Sequence, residues 1–355
     1  MIVLKYGGSS LATPEQILQR AQQIAHMYKQ GKKILVVVSA MGQTTNDLVK
    51  LAYKITARPH RRELDMLLTT GERISMSLLS MALNDLNCPA ISFTGSQAGI
   101  LTESNHNDAR IKEIKPIRVQ QELEKNKIVI VAGFQGVDPQ TKEITTLGRG
   151  GSDTTAIAMA HYFNATRCQI LKDVDGIYSA DPKLIAQSQK IKEVSWEQLH
   201  SMCAGGAKVV HLRAAELARE QQVPFEIASA DDPKVSTHIN GQPSHSVPKP
   251  LAVNCIAPFL QIKWPSAQND LFNHLHDQGL TLPNILADDQ PNTYYLWGDP
   301  EIIKPVTTYL STHHKERVTA KDLCSINLTW SHPPKDQQQT VLQKTLKTEN
   351  IQPIA

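Results

Sequence analysis

The stretch Ile2-Val3-Leu4-Lys5-Tyr6-Gly7-Gly8-Ser9-Ser10 decides how the chain reads. A short apolar run with the character of a strand enters two adjacent glycines, and a helix start follows at once. Thr13 stands as N-cap, Pro14 opens the first turn and Gln16 lies three residues after the cap, the spacing of a capping box. Strand, glycine loop and helix in that order let backbone N–H groups approach anionic oxygens closely, with the positive end of a helix dipole behind them. Lys5 adds an ammonium at the same point. A lysine ahead of two glycines is also what a plain surface turn looks like, so the motif gains its weight from a second one.

That second motif is Thr145-Thr146-Leu147-Gly148-Arg149-Gly150-Gly151-Ser152-Asp153, directly before a helical pattern. An arginine set among glycines is uncrowded, which suits bidentate recognition of a carboxylate. Ser152 and Asp153 fall where a helix N-cap belongs, and capping alone would account for Asp153. It would leave three glycines and the arginine unexplained. Two such devices in one chain point to handling of a polyphosphate and movement of part of it.

At 355 residues the chain is long enough for two domains with separate cores. A net charge of +3, with 20% charged residues, offers no argument for a nucleic-acid surface. The longest apolar runs, such as Ile34 to Val38, fall far short of the roughly 20 residues a membrane span needs. The opening Ile2-Val3-Leu4-Lys5 reads as a strand and not as a signal peptide. Five cysteines (Cys88, Cys168, Cys203, Cys255, Cys324) are scattered without a C-x-x-C spacing, which favours a reducing, cytoplasmic setting. His238, His245, His274 and His276 read as solvated surface, and no metal site is expected.

Strand-like runs at Ile2–Leu4, Ile34–Val38, Ala90–Phe93, Ile128–Ala132, Cys168–Leu171 and Phe225–Ile227 alternate with helical patterns near 14–30, 44–56, 63–86, 107–125, 153–163 and 206–221. Such alternation predicts an α/β fold, a mostly parallel sheet between helices. Residues 1–235 form the expected first domain. The Pro- and Gly-bearing stretch 236–250 reads as a linker. Residues 251–355 read as a smaller α+β module with strands over 251–263, 292–297 and 324–330 and helices over 266–278, 299–312 and 335–348.

Three further stretches carry polar residues in suggestive places. Leu171-Lys172-Asp173-Val174-Asp175-Gly176-Ile177-Tyr178-Ser179-Ala180-Asp181-Pro182-Lys183 leaves a strand and turns twice, as a nucleotide pocket at the carboxyl end of a sheet would require. A plain hairpin with Asp-Gly turn chemistry is the competing account. Gly71-Glu72-Arg73 opens an amphipathic helix in which Glu72 could serve only the helix dipole. Gly205-Gly206-Ala207-Lys208 could likewise be a helix start with a solvated lysine.

Taken together and in order, these motifs resemble those of the aspartate kinases, within the amino acid kinase family. The matching stretches are KYGGSSL (5–11), VVVSAMGQTTNDL (36–48), MLLTTGERIS (66–75), FTGSQAGILT (93–102), VIVAGFQGV (129–137), TTLGRGGSDTTA (145–156), DVDGIYSADP (173–182) and GAKVVH (206–211). The resemblance implies an enzyme that moves the γ-phosphoryl of Mg-ATP onto the side-chain carboxylate of L-aspartate, the first step towards lysine, threonine and methionine. It implies Lys5, Asp153 and Lys208 as catalytic residues. Gly7, Gly8 and Ser9 would hold phosphates, and Asp153 would orient Lys5. Arg149 would take the α-carboxylate of aspartate and Glu72 its α-ammonium, with Ser39, Thr45, Gly150, Gly151 and Ser152 completing that side. Lys172, Asp173, Tyr178, Asp181, Pro182 and Lys183 would line the nucleotide, and Mg²⁺ would travel with ATP. A cytoplasmic homodimer is the expected assembly.

Two departures stand out. Lys172 occupies a place where the family has a small hydroxyl residue, and it is expected to tilt into solvent or to add a phosphate contact. The module after residue 250 suits an ACT-like βαββαβ unit, yet neither Gly298-Asp299-Pro300 nor Asp277-Gln278-Gly279 reproduces the family's effector loop. That tail is short for two ACT modules, so dimerisation suits it better than feedback control. Rival readings are another enzyme of the family, such as an acetylglutamate, glutamate 5- or uridylate kinase, or a non-catalytic relative that binds aspartate or nucleotide. The intact Lys5, Glu72, Arg149, Asp153 and Lys208 speak against the second.

Overall fold

The computed structural model describes residues 1–182 and 187–241 throughout, and between 250 and 330 six strands with a few further positions. The chain divides into two compact units. The first comprises Met1–Ser179, Gln187–Cys203 and Lys208–Ser244; the second comprises Ala180–Ala186, Ala204–Ala207 and His245–Ala355.

The first unit begins with β1 (Ile2–Tyr6), α1 (Pro14–Lys29), β2 (Ile34–Val38), α2 (Thr44–Ile55), α3 (Arg61–Leu68) and α4 (Thr70–Asp85). It continues through β3 (Ala90–Phe93), β4 (Ile100–Thr102), β5 (Ile111–Ile114), α5 (Ile117–Glu124), β6 (Ile128–Ala132), β7 (Gln135–Val137) and β8 (Ile144–Thr146). Then come α6 (Gly151–Tyr162), β9 (Arg167–Lys172), β10 (Ile177–Tyr178), β11 (Lys190–Ile191), β12 (Glu193–Ser195), α7 (Trp196–Ala204), α8 (Leu212–Glu220), β13 (Phe225–Ser229) and β14 (Ser236–Asn240).

Eight strands form one sheet in the order β12-β14-β13-β9-β1-β2-β6-β3. From β13 to β3 every neighbouring pair is parallel, and β14 turns back antiparallel on β13. The chain first winds to one side of β1 and later returns to its other side with β9. Strand order therefore reverses at β1, and open α/β sheets bind ligands at the carboxyl ends of strands beside such a reversal. A smaller sheet, β5-β4-β7-β8, stands apart.

Every residue of β2 and β6 is buried, as expected of parallel strands covered on both faces. Leu4, Tyr6, Val36, Val38, Ile130 and Leu171 share one core with Ile17, Ala21 and Ile24 of α1 and Met76, Leu79 and Leu83 of α4. Each large side chain fully buried there contributes about 1.5–3 kcal/mol. Helix α6 packs on β1, β2 and β9 and is itself buried over most of its length. The capping box at Thr13 and Gln16 is present as the sequence predicts.

Several boundaries differ from the sequence reading. The helix expected over 63–86 is two helices, broken at Thr69. The first part of the helix expected over 107–125 is strand β5, and the last expected helix starts only at Leu212. The linker expected from 236 begins with strand β14, because Thr237 and Ile239 alternate inward and the strand pairs with both β13 and β12.

In the second unit, β15 (Pro250–Ile256) pairs with β20 (Ser325–Trp330), while β16 (Phe259–Lys263), β17 (Asn284–Ala287), β18 (Thr293–Trp297) and β19 (Val318–Lys321) form an antiparallel sheet in the order β17-β18-β16-β19. The run expected as one strand over 251–263 thus serves two sheets. Helical residues lie at Leu271 and 273–275 between β16 and β17, and at Val306 and 308–310 between β18 and β19. Leu271 and Leu275, and Val306 and Leu310, are buried one turn apart, so each helix turns an apolar stripe inward. The result is one βαββαβ unit of split βαβ order. The loops at 277–279 and 298–300 and the helix expected over 335–348 lie outside the described residues. Among the described residues no helix is long and apolar enough to cross a membrane.

One buried cation ties the glycine loop to the sheet. Arg20 of α1 is 1% exposed; its Nε donates to the Ser10 carbonyl at 3.3 Å and its Nη1 to the Ala230 carbonyl at 2.5 Å. Its Nη2 pairs with the exposed Asp231 carboxylate at 2.5 Å. Replacing Arg20 by Met takes the donor from the Ser10 carbonyl and leaves the Ala230 carbonyl only the Gln23 amide, at 3.0 Å, and is expected to cost about 2 kcal/mol. Asp231→Ala removes only a solvated partner and should cost less than about 1 kcal/mol. Urea unfolding of the two variants side by side measures both.

Candidate active site

Side chains alternate along a strand, and that period places the charges. Leu4 and Tyr6 face the core shared by α1 and α4, so Lys5 between them faces α6. In β9, Leu171 lies in that same core, so Lys172 also turns towards α6. The registers set Lys5 beside Ile170 and Tyr6 beside Leu171. Asp153 comes from the first turn of α6 and receives both lysines. Lys5 Nζ lies 2.5 Å from Asp153 Oδ1, and Lys172 Nζ lies 3.4 Å from Asp153 Oδ2. Lys172 also donates to the Val209 carbonyl.

Lys5 is 6% exposed and Asp153 is 3% exposed. Burial pushes the Lys5 ammonium below its ordinary range; Asp153 opposes that shift and Lys172 adds to it. For Asp153 burial acts upward, but Lys172 and Lys5 outweigh it and hold the carboxyl well below its usual value. Capping, the competing account of Asp153, does not hold. Gly150 is the cap residue, and Asp153 points into the site. Lys172 does not tilt into solvent, because a buried carboxylate lies within its reach.

The glycine loop is pressed against the end of β2. A Cβ at Gly8 would stand 2.7 Å from the Ala40 carbonyl oxygen, and Gly42 N–H donates to Gly8 O at 2.9 Å. Gly7 N–H donates to the Leu171 carbonyl at 3.1 Å, so it is not available to a phosphate as the sequence reading supposed. Gly8 and Ser9 open a 3-10 turn, whose first amides have no partner within the turn, and Ser9 is exposed.

Glu72, in the first turn of α4, completes the charged set. Its Oε1 accepts from Ala40 N–H at 3.1 Å, while Oε2 is buried without a hydrogen-bond partner. Burial lifts this carboxyl to about 7, against its backbone hydrogen bonds and the Lys5 charge. An orphaned buried carboxylate oxygen asks for a donor that the chain itself does not supply. Ser75 Oγ donates to the Ser39 carbonyl at 2.7 Å and fixes that strand end, and Thr45 stands half-buried in the first turn of α2.

The Gly-Arg-Gly turn is held from behind. Gly150 has φ +69°, and a Cβ there would fall 2.0 Å from His211 Cβ, so no other residue fits. Gly151 and Ser152 are buried behind it, while Arg149 is exposed at the turn. Arg213 donates to Leu147 O at 3.2 Å and pairs with Asp108 at 2.5 Å. Beneath lies Asp65, fully buried, which accepts from Thr146 Oγ1 at 2.6 Å and from Asn107 N–H at 3.1 Å and meets His106 Nδ1 at 2.7 Å. Sequence reasoning misses Asp65 and Arg20. Each sits inside a helical stretch, and its partners are distant in the chain.

The remaining expected residues are less gathered. Tyr178 Oη donates to Asp175 Oδ1 at 2.8 Å, and Lys190 takes the other oxygen at 3.1 Å, so Asp175 is braced by β10 and β11; Asp175-Gly176 precedes β10 and is not the turn that joins those strands. Asp173 is exposed. Lys208 is exposed and forms no ion pair with a described residue. Asp181 and Pro182 group with the second unit, and Lys183 lies outside the described residues.

Comparison with known proteins identifies the family. The profile of the amino acid kinase family matches residues 1–229. An aspartokinase of Mycobacterium tuberculosis is 49% identical over 241 residues, 68% of this chain and 57% of that protein. The chain thus spans little more than half the length of the mycobacterial relative. An aspartokinase of Bacillus sp. strain MGA3 is 36% identical over 363 residues, 100% of this chain and 80% of that protein. The structure of Escherichia coli aspartokinase III, solved in complex with aspartate and ADP, superposes with a TM-score of 0.73 at 21% identity over 98% of this chain and 92% of that one. The chain belongs to the amino acid kinase family and, within it, to the aspartokinases.

Proposed function

We propose that the chain transfers the γ-phosphoryl of Mg-ATP to the side-chain carboxylate of L-aspartate, giving 4-phospho-L-aspartate. The observation that carries this reading is the buried Lys5–Asp153 pair at the strand reversal, with the orphaned Glu72 oxygen in electrostatic reach of Lys5. The nucleophile needs no base, since its reference pKa is about 3.9. A carboxylate oxygen bonds to the γ-phosphorus while the bond to the bridging oxygen breaks, and ADP departs with that electron pair. The obstacle is repulsion. Two like charges at about 4 Å and an effective dielectric near 20 repel by about 4 kcal/mol.

Lys5 offsets that charge on the transferring group, where stabilisation in a water-poor site is strongest. Asp153 orients Lys5, the amides of Gly8 and Ser9 meet phosphate oxygens, and Gly7 shapes the loop. Arg149 takes the α-carboxylate of aspartate, with Ser39, Thr45, Gly150, Gly151 and Ser152 around it. Glu72 takes the α-ammonium. Asp173, Tyr178, Asp181, Pro182 and Lys183 attend the nucleotide, and Lys208 reaches the phosphates. The assembly is a cytoplasmic homodimer in which the βαββαβ unit acts as an ACT-like dimerisation module. Buried thiols at Cys88 and Cys168 suit a reducing compartment.

Mg-ATP and L-aspartate should yield an acyl phosphate that hydroxylamine traps as a hydroxamate. Folded protein that forms none would sink the reading. Hydroxamate formation unaffected by lysine or threonine would make the second unit structural, and suppression by either would give it an effector site.

Glu72 offers a second test. Its folded pKa of about 7 lies above the ordinary value of 4.5. Between those values the folded chain keeps a proton that the unfolded chain has lost, so stability falls as pH rises through that window and levels above it. The loss amounts to about 3 kcal/mol. Glu72→Gln should abolish this slope. L-aspartate, whose ammonium favours the ionised carboxylate, should stabilise the wild type more at pH 8 than at pH 5. Thermal unfolding across that range, with and without L-aspartate, measures both effects; equal slopes in wild type and variant would exclude the assignment.

A further inference from the structure

The second ammonium at Asp153 is Lys172, which the resemblance sets along the nucleotide. Lys172 ends β9 at the rim of the sheet, where a lysine ordinarily carries its charged head into water. Instead its side chain is 19% exposed and its ammonium is shared between Asp153 Oδ2 and the Val209 carbonyl. Two consequences follow from charge and geometry. Lys5 and Asp153 alone would be a neutral pair, with little attraction for an anion. With Lys172 the cluster of two ammoniums and one carboxylate carries one net positive charge. The carboxylate is also fixed from both sides, one oxygen to each lysine, and the Val209 contact ties β9 to the segment that carries Lys208.

We propose that Lys172 is a positioning residue of this centre: it occupies the second oxygen of Asp153 and so leaves Lys5 with unmatched charge for an incoming phosphate oxygen. The inference rests on the phosphoryl-transfer reading of the site. The groups that act on Lys5 are Asp153 from α6, Lys172 from β9 and Glu72 from α4, and the Lys172 charge pushes the Lys5 ammonium downward. Lys172 also acts on the Cys203 thiol of α7, whose shift is set chiefly by burial.

The test uses the full chain with Lys172→Met, Lys172→Gln and Lys172→Arg. Lys172→Gln keeps a donor for Val209 without the charge, and it replaces the Met variant should that one fail to fold. Competitive acetylation of Lys5 by acetic anhydride, read by mass spectrometry across pH, reports the Lys5 titration whatever reaction the protein catalyses. The neutral variants should raise the Lys5 midpoint, and Lys172→Arg should leave it near that of the wild type. Protection of Lys5 by inorganic phosphate should weaken about tenfold in both neutral variants, the loss of one charge-assisted contact. In turnover, KM for Mg-ATP should rise and kcat fall, with KM for L-aspartate little changed. An unchanged Lys5 midpoint together with unchanged phosphate protection in the neutral variants overturns the proposal. Wild-type protein that is protected by phosphate but forms no hydroxamate overturns the aspartate reading and leaves the role of Lys172 standing.

Discussion

The site depends on one arrangement: a carboxylate buried at the first turn of α6 and held between ammoniums from two neighbouring parallel strands. Asp153 is 3% exposed and Lys5 is 6% exposed, so neither ion keeps much hydration. Desolvating a charge costs several kcal/mol, and mutual attraction offsets that cost only when partners are close and well placed. The 2.5 Å contact supplies such a partner for Lys5. That pair in turn requires the register of β1 on β9 and the axial position of α6. A slip of one residue in either strand would turn its lysine into the apolar core beside α1 and α4.

Around this pair the fold leaves polar capacity unused. Glu72 Oε2 is buried without a partner, and the amides of Gly8 and Ser9 begin a turn that offers them none. Native interiors satisfy nearly all such groups, so their gathering at the carboxyl ends of β1 and β2 marks where a ligand completes the structure. Two buried charges of the surrounding scaffold are bonded by contrast. Arg20 is bonded to two carbonyls and a carboxylate, and Asp65 accepts from three residues. Stability is placed in the frame and withheld from the site, as strained or under-satisfied functional centres require.

The motifs legible in the sequence were those whose meaning is local. Two glycines after an apolar run read as a close-approach loop, and Gly8 does abut the Ala40 carbonyl. The left-handed turn at Gly150 is likewise written in its residue type. The pairing Lys172–Asp153 was not legible, because nothing near Lys172 shows that β9 lies beside β1. Nor was the role of Asp65, whose partners His106 and Thr146 lie 41 and 81 residues away. The bond from Gly7 N–H to Leu171 O escaped the same way, since it crosses between strands far apart in the chain.

By itself the sequence determined the alternation of strands and helices, the capping box at Thr13, the glycine turns and the residue types a phosphate site needs. These follow from steric limits and hydrogen bonds among near neighbours. Tertiary structure alone decided which charges meet, because strand order and register bring β9 next to β1 and aim Lys5 and Lys172 at one carboxylate. It also decided that 236–240 is a strand set between β12 and β13, and that a four-stranded βαββαβ sheet and a β15–β20 pair form in the second unit. Burial then settled the chemistry. Removing Lys5, Asp153 and Glu72 from water shifts their proton affinities, and no property of the residues in isolation carries that information.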